Sequence, residues 1–111
     1  MHIHYKGKEF FTSKDLALCV IGGKWKISII YQLLQNNVLR LSELQRNLPH
    51  VNQRMLIRQL RELEEDQIIE RKVYSVVPPK VEYRLTSIGK KSEKVVYAIC
   101  DWGEEFRKDM L

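Results

Sequence analysis

Apolar side chains recur at helical spacing in five stretches of the chain and alternate with polar ones in two more. Residues 14–21 carry Leu16, Ala17, Cys19 and Val20 behind Ser13, a residue suited to capping, and Gly22-Gly23 closes the stretch. Residues 24–35 repeat Trp25, Ile29, Ile30, Leu33 and Leu34, and Asn36-Asn37 breaks the pattern. A short helix is expected over residues 42–47, with Leu44 and Leu48 inward, and Pro49 turns the chain because it cannot donate to a continuing helix. Asn52 then caps a helix reaching about Asp66, with Leu56, Leu60 and Leu63 at i, i+4 and i+7. Residues 68–74 and 81–85 are strand-like, and Pro78-Pro79 turns between them, so a hairpin is expected. Thr86 caps a last helix over residues 87–111, with apolar positions at Val95 or Val96, Ile99, Trp102, Phe106 and Met110.

Two helices joined by a tight turn and followed by a strand pair make a winged helix-turn-helix. The fold expected is mainly α with a small β-hairpin wing and a C-terminal dimerisation helix. The 111 residues fit one domain: an N-terminal arm over 1–12, a core over 13–86 and the terminal helix over 87–111. In the helix from Asn52 the leucines face inward, which leaves Gln53, Arg54, Ile57, Arg58 and Arg61 on the opposite face.

Hydrophobic residues make up 44% and charged residues 30%, a globular rather than a disordered balance. The net charge of +5 leans toward a polyanionic partner. The excess lies before residue 87, since residues 87–111 balance to zero. Within 41–66, after Glu43, the bases Arg46, Arg54, Arg58 and Arg61 come first, and Glu62, Glu64, Glu65 and Asp66 come last. Acids at a helix C-terminus oppose the dipole, so helix stability does not explain that order, whereas offering a basic N-terminal half to an anion does. No apolar run is long enough to span a bilayer, and no signal-peptide pattern opens the chain. Two cysteines suggest a reduced, cytosolic protein. The sequence lacks a glycine-rich phosphate loop, HExxH, CxxC and GxSxG, so no enzyme, metal or cofactor is expected.

Gly22-Gly23-Lys24-Trp25, Leu60-Arg61-Glu62-Leu63-Glu64, and Pro78-Pro79-Lys80-Val81-Glu82-Tyr83-Arg84-Leu85-Thr86 running to Gly89 stand in unbroken order. Together they resemble the HxlR-type branch of the MarR-like transcription regulators over roughly residues 13–105. The resemblance implies a homodimeric winged-helix protein that binds operator DNA and has no enzyme activity. Several members carry a redox-sensing cysteine just before the first helix. Here that stretch reads Glu9-Phe10-Phe11-Thr12-Ser13, so a thiol switch does not carry over by position.

The candidate recognition residues are Asn52, Gln53, Arg54 and Arg58, because the first residues of such a helix reach base edges in the major groove. The competing reading is a solvated polar face with Asn52 only a cap. Lys80 at the hairpin tip, with Arg71, Lys72 and Arg84, forms the candidate wing, unless the latter three pair with Glu70 and Glu82 across the sheet. Lys24 and Lys26 at the start of the second helix, and Ser42 and Arg46 on the third, are candidate phosphate contacts.

The apolar row Val95, Ile99, Trp102, Phe106 and Met110, together with Phe10 and Phe11, exceeds what so small a core covers and suggests a two-fold dimer interface. Folding of the helix back onto its own domain accounts for Val95 and Ile99 but less easily for Phe106 and Met110. Cys19 and Cys100 are expected to pack as small hydrophobes, with a sensing role for Cys19 as the secondary reading. His2 and His4 are expected on a mobile terminus rather than at a metal. The partners expected are double-stranded DNA, a second copy of the chain and an unidentified small effector, without a membrane. The alternative is a winged-helix protein-interaction module that does not touch DNA.

Overall fold

The helix leading the core starts at Thr12, whose Oγ1 accepts from Asp15 N at 3.2 Å; the expected cap, Ser13, is its first residue. In the computed structural model, which describes residues 2–111, the elements run β1 (Ile3–Tyr5), β2 (Lys8–Phe10), α1 (Ser13–Ile21), α2 (Lys26–Gln35), α3 (Leu41–Asn47), α4 (Gln53–Glu65), β3 (Ile69–Tyr74), β4 (Lys80–Leu85), α5 (Ser87–Lys90) and α6 (Glu93–Met110). This is the winged helix expected from the residue pattern.

The core forms where α2, α3 and α4 meet the strands. Leu56, Leu60 and Leu63 are buried with Ile29, Ile30, Leu33 and Leu44, and the group continues through Ile69, Leu85 and Val96. Asn52 Oδ1 accepts from Met55 N at 2.8 Å and starts α4 as expected. Gln45 Nε2 donates to Val51 O and holds the α3–α4 turn.

β3 and β4 pair antiparallel from Ile69↔Leu85 to Tyr74↔Lys80. Leu39 adds a one-residue bridge to Tyr83, with backbone bonds of 3.1 and 2.9 Å. At Gly89 an added Cβ would lie 2.1 Å from Ile68 O, so the close approach of α5 to the strand root requires glycine.

Four expectations need correction. Residues 3–10 are not a loose arm but an antiparallel hairpin, Ile3↔Phe10 to Tyr5↔Lys8, closed by Lys6 and Gly7 at φ 51° and 74°. Positive φ at both central residues is the geometry that matches strand twist in a two-residue turn. α2 begins at Lys26, not Lys24, because Gly22 is extended and Gly23 has φ 97°. The last helix is two: α5 ends at Lys90, and α6 restarts after Ser92, whose Oγ donates to Gly89 O at 2.7 Å. Finally, Cys19 and Cys100 are exposed rather than packed, since α1 buries only Ile21 and α6 only Val96.

α6 leans on α2 near its start. Val96 is buried, Gln35 Nε2 donates to Tyr97 Oη at 2.7 Å, and the Tyr31 and Tyr97 rings meet edge to face. From Ala98 onward every residue is exposed. The Cα radius of gyration is 15.5 Å, against about 13 Å for a compact chain of this length, as a projecting helix requires.

Candidate nucleic-acid interface

The first two turns of α4 leave one side bare. Asn52, Gln53, Arg54, Arg58 and Arg61 are exposed, and Ile57 is half-buried among them. Asn52, Arg54, Met55, Ile57, Arg58 and Arg61 line a shallow depression of about 470 Å³. The cap bond takes one lone pair of the Asn52 Oδ1 and leaves both amide N–H donors for another partner. Arg58 Nε lies 3.6 Å from Glu62, an i,i+4 pair, whereas Arg54 and Arg61 form no ion pair among the described residues.

The start of α3 and the wing meet beside this face. Arg40, Ser42, Arg71, Pro79 and Lys80 line a groove of about 360 Å³. Ser42 and Arg46 are exposed, as a backbone contact requires. Arg40 was not among the candidates read from the sequence. It looks there like a loop cation, but its backbone N–H donates to Glu43 at 2.8 Å, so it caps α3 at the mouth of the groove.

The wing's outer face alternates charge across the strands, with Glu70 opposite Arg84, Lys72 opposite Glu82 and Tyr74 opposite Lys80. Arg84 sits 3.8 Å from Glu70 and 3.3 Å from Glu82, so the cross-sheet pairing weighed as its alternative is what forms. Arg71 instead reaches Glu64 on α4 at 3.9 Å. Lys80 lies 3.4 Å from Glu82, and the Lys72 and Lys80 ammonium groups each stand 4.9 Å from the Tyr74 ring centre. The Tyr74 hydroxyl donates to Glu82 at 2.8 Å, and that bond, with Lys80 and Arg84, holds the Glu82 carboxyl below the usual range. From Arg71 to Val81 the wing has three cations and no carboxylate.

Lys26 lacks the exposure that a phosphate contact needs. It is 7% exposed, with Nζ 2.7 Å from Glu62. As the first residue of α2 it turns inward across α4 rather than outward. Lys24 stays exposed, with its ammonium 5.2 Å from the Trp25 ring centre, and Trp25 packs partly against the core. The acids late in α4 now have a reason of their own. Glu62 takes Lys26 and Arg58, Glu64 takes Arg71, and Asp66 takes Lys6. The Lys26 hydrogen bond keeps Glu62 ionised below the ordinary carboxylate range.

The row on α6 is uncovered. Val95, Ile99, Trp102, Phe106 and Met110 are 45–66% exposed, so the helix does not fold back to cover Val95 or Ile99. Trp102 and Phe106 lie with ring centres 5.6 Å apart. Phe11 and Leu18 are also exposed, whereas Phe10 is half-buried. Leu18 is absent from the apolar positions read in that stretch, of which Leu16 and Val20 are half-buried and Ala17 and Cys19 exposed.

His2 pairs with Glu9 and packs edge-on against Phe11, and no metal-ligating cluster occurs among the described residues. Among these residues no single helix is long and apolar enough to cross a membrane.

A family model described as HxlR-like helix-turn-helix matches residues 20–110. An uncharacterised HTH-type transcriptional regulator of Methanothermobacter thermautotrophicus is 46% identical over 98 residues, covering 88% of this chain and 74% of that relative. The Bacillus subtilis regulator YdeP is 46% identical over 93 residues, covering 84% of this chain and 72% of YdeP. The redox regulator HypR in its reduced form matches with a TM-score of 0.82 at 46% identity, over 86% of this chain and 94% of HypR. A MarR-family transcriptional regulator from Enterococcus faecalis V583 matches with a TM-score of 0.75 at 41% identity, over 86% of each chain. The chain belongs to the HxlR-like helix-turn-helix family, has the winged-helix fold of MarR-like regulators, and is a transcriptional regulator rather than an enzyme.

Proposed function

We propose that the protein acts as a homodimer that binds a palindromic operator sequence-specifically. Each protomer places the first turns of α4 in a major groove and lays the β3–β4 wing along the flanking backbone. Gln53, Arg54 and Arg58 read base edges, with the free amide of Asn52 beside them. Lys80, Lys72, Arg40, Ser42 and Arg46 meet phosphates, and Arg71 and Arg84 shape the wing through their ion pairs. The two copies join through the α6 row, Phe11 and Leu18. Half-sites then fall about one or two helical turns apart.

The observation that carries this reading is the bare arginine face of α4 beside a wing without carboxylates from Arg71 to Val81. A mobility-shift titration on the gene's own upstream region tests it. Arg54→Ala and Arg58→Ala each weaken specific binding by about 1–3 kcal/mol and relax base preference. The Arg58 effect is the smaller, because Glu62 already holds that guanidinium. Lys80→Ala weakens binding evenly across sequences and flattens the salt dependence by about one unit of slope. Unchanged affinity in all three refutes the contact map, and absence of any salt-dependent DNA binding favours a protein-interaction module.

A further inference from the structure

We propose that the N-terminal hairpin clasps the tail of the DNA-reading helix, and that Tyr5 and Lys6 are positioning residues for operator recognition. The inference rests on the DNA-binding reading above and adds a device outside the matched family span, which begins at residue 20. Tyr5 Oη donates to Asp66 Oδ1 at 2.6 Å, and Lys6 Nζ reaches the same oxygen at 2.6 Å. Asp66 is the C-cap residue of α4, and its side chain is 11% exposed. One turn earlier, Glu62 holds the buried Lys26 of α2 at 2.7 Å. The tail of the helix is thus pinned from two sides, by α2 and by the hairpin.

The turn is built for this reach. Lys6 holds φ 51°, a left-handed conformation that glycine or asparagine adopts more readily. In exchange its ammonium arrives at Asp66. Burial pushes the Asp66 carboxyl up, but the Lys6 and Tyr5 hydrogen bonds and the Lys6 and Lys26 charges outweigh it, so the group stays ionised. At its other end the hairpin leads into exposed Phe11 and packs against α1, so one element spans from the proposed dimer surface to α4.

Position matters because α4 is a stiff rod. Its 13 residues span about 20 Å, so a tilt of about 3° at the tail moves the first turn by about 1 Å. A displacement of that size takes an arginine out of hydrogen-bond range of a base edge but leaves a phosphate within Coulomb range. The clasp therefore supports specific binding far more than nonspecific binding.

The test uses the full chain with Tyr5→Phe, Lys6→Met and Lys6→Arg. Fluorescence anisotropy is measured on a duplex that the wild type selects from a random pool, and on a scrambled duplex of equal composition. Thermal melting is followed in parallel. Tyr5→Phe and Lys6→Met lose about three- to tenfold on the selected duplex and less than about twofold on the scrambled one, at a temperature where each is fully folded. Lys6→Arg restores most of the discrimination. Equal losses on both duplexes, or a lowered melting point with discrimination intact, overturn the clasp while leaving DNA binding in place. A wild type that selects no duplex from the pool overturns the DNA-binding reading and the clasp with it.

Discussion

Trp102→Ala is the sharpest probe of the α6 surface. Trp102 is 65% exposed, and its ring packs against that of Phe106 on its own helix. A tryptophan offers about 250 Å², so about 160 Å² remains for a partner to cover. At about 25 cal/mol per Å² that is about 4 kcal/mol of burial. Ordering and imperfect packing at an interface consume part of it, which leaves about 2 kcal/mol per protomer. A two-fold interface repeats the loss, so the proposed dimer is expected to weaken by about 4 kcal/mol and its dissociation constant to rise about a thousandfold.

Sedimentation equilibrium over a concentration series reads that change directly. The isolated fold should hardly notice, because residues 98–111 are all exposed and outside the core. Val77→Ser, at the 99% exposed tip of the wing, serves as the control and leaves assembly unchanged. A Trp102→Ala chain that dimerises as tightly as the wild type refutes the assignment of this face, as does a wild type that stays monomeric at high concentration.

Other substitutions test the interior. Lys26→Met stays within about 1 kcal/mol of wild-type stability in urea unfolding, because Met replaces the buried stem and Glu62, 40% exposed, regains water. Lys26→Ala leaves a cavity and costs about 2 kcal/mol; equal losses in both variants would show that the charge, not the packing, is what matters there. Gly89→Ala abolishes cooperative folding or lowers the melting temperature sharply, since its Cβ meets Ile68 O at 2.1 Å; an unchanged melting curve contradicts that close approach. The Glu62 and Asp66 carboxyls are held below their unfolded-state values. Their contribution is therefore complete above about pH 5 and is lost as pH falls through the folded-state values. The stability gap between wild type and Asp66→Asn narrows below about pH 4, and a gap independent of pH rejects the ion-pair account.

The parts of the fold that local spacing encodes are legible in the sequence. Leu56, Leu60 and Leu63 announce the buried side of α4, Asn52 its start, and Thr86 the start of α5. Features set by distant partners are not. Lys26 looks like a surface lysine until α4 brings Glu62 beside it from 36 positions away. Arg84 looks like a DNA contact until strand register places Glu70 opposite it. The N-terminal hairpin left one signal, Lys6-Gly7 between short runs, too weak alone because its strands have three residues each. Cys19 and Cys100 carry the side-chain type of a core and the position of a surface, because α1 and α6 each expose a side that the rest of the chain does not cover. The arginine row of α4 was readable from the sequence, whereas Arg40 needed the approach of α3 to the wing.

Selection of bound duplexes from a random pool, run with the wild type and with an Arg54→Ala/Arg58→Ala variant, tests the account most directly. The wild type is expected to enrich a two-fold symmetric motif with half-sites about one or two helical turns apart, and the double variant to retain salt-dependent binding without that motif. Enrichment of the same motif by both proteins, or of none by the wild type, contradicts the claim that the bare side of α4 reads DNA.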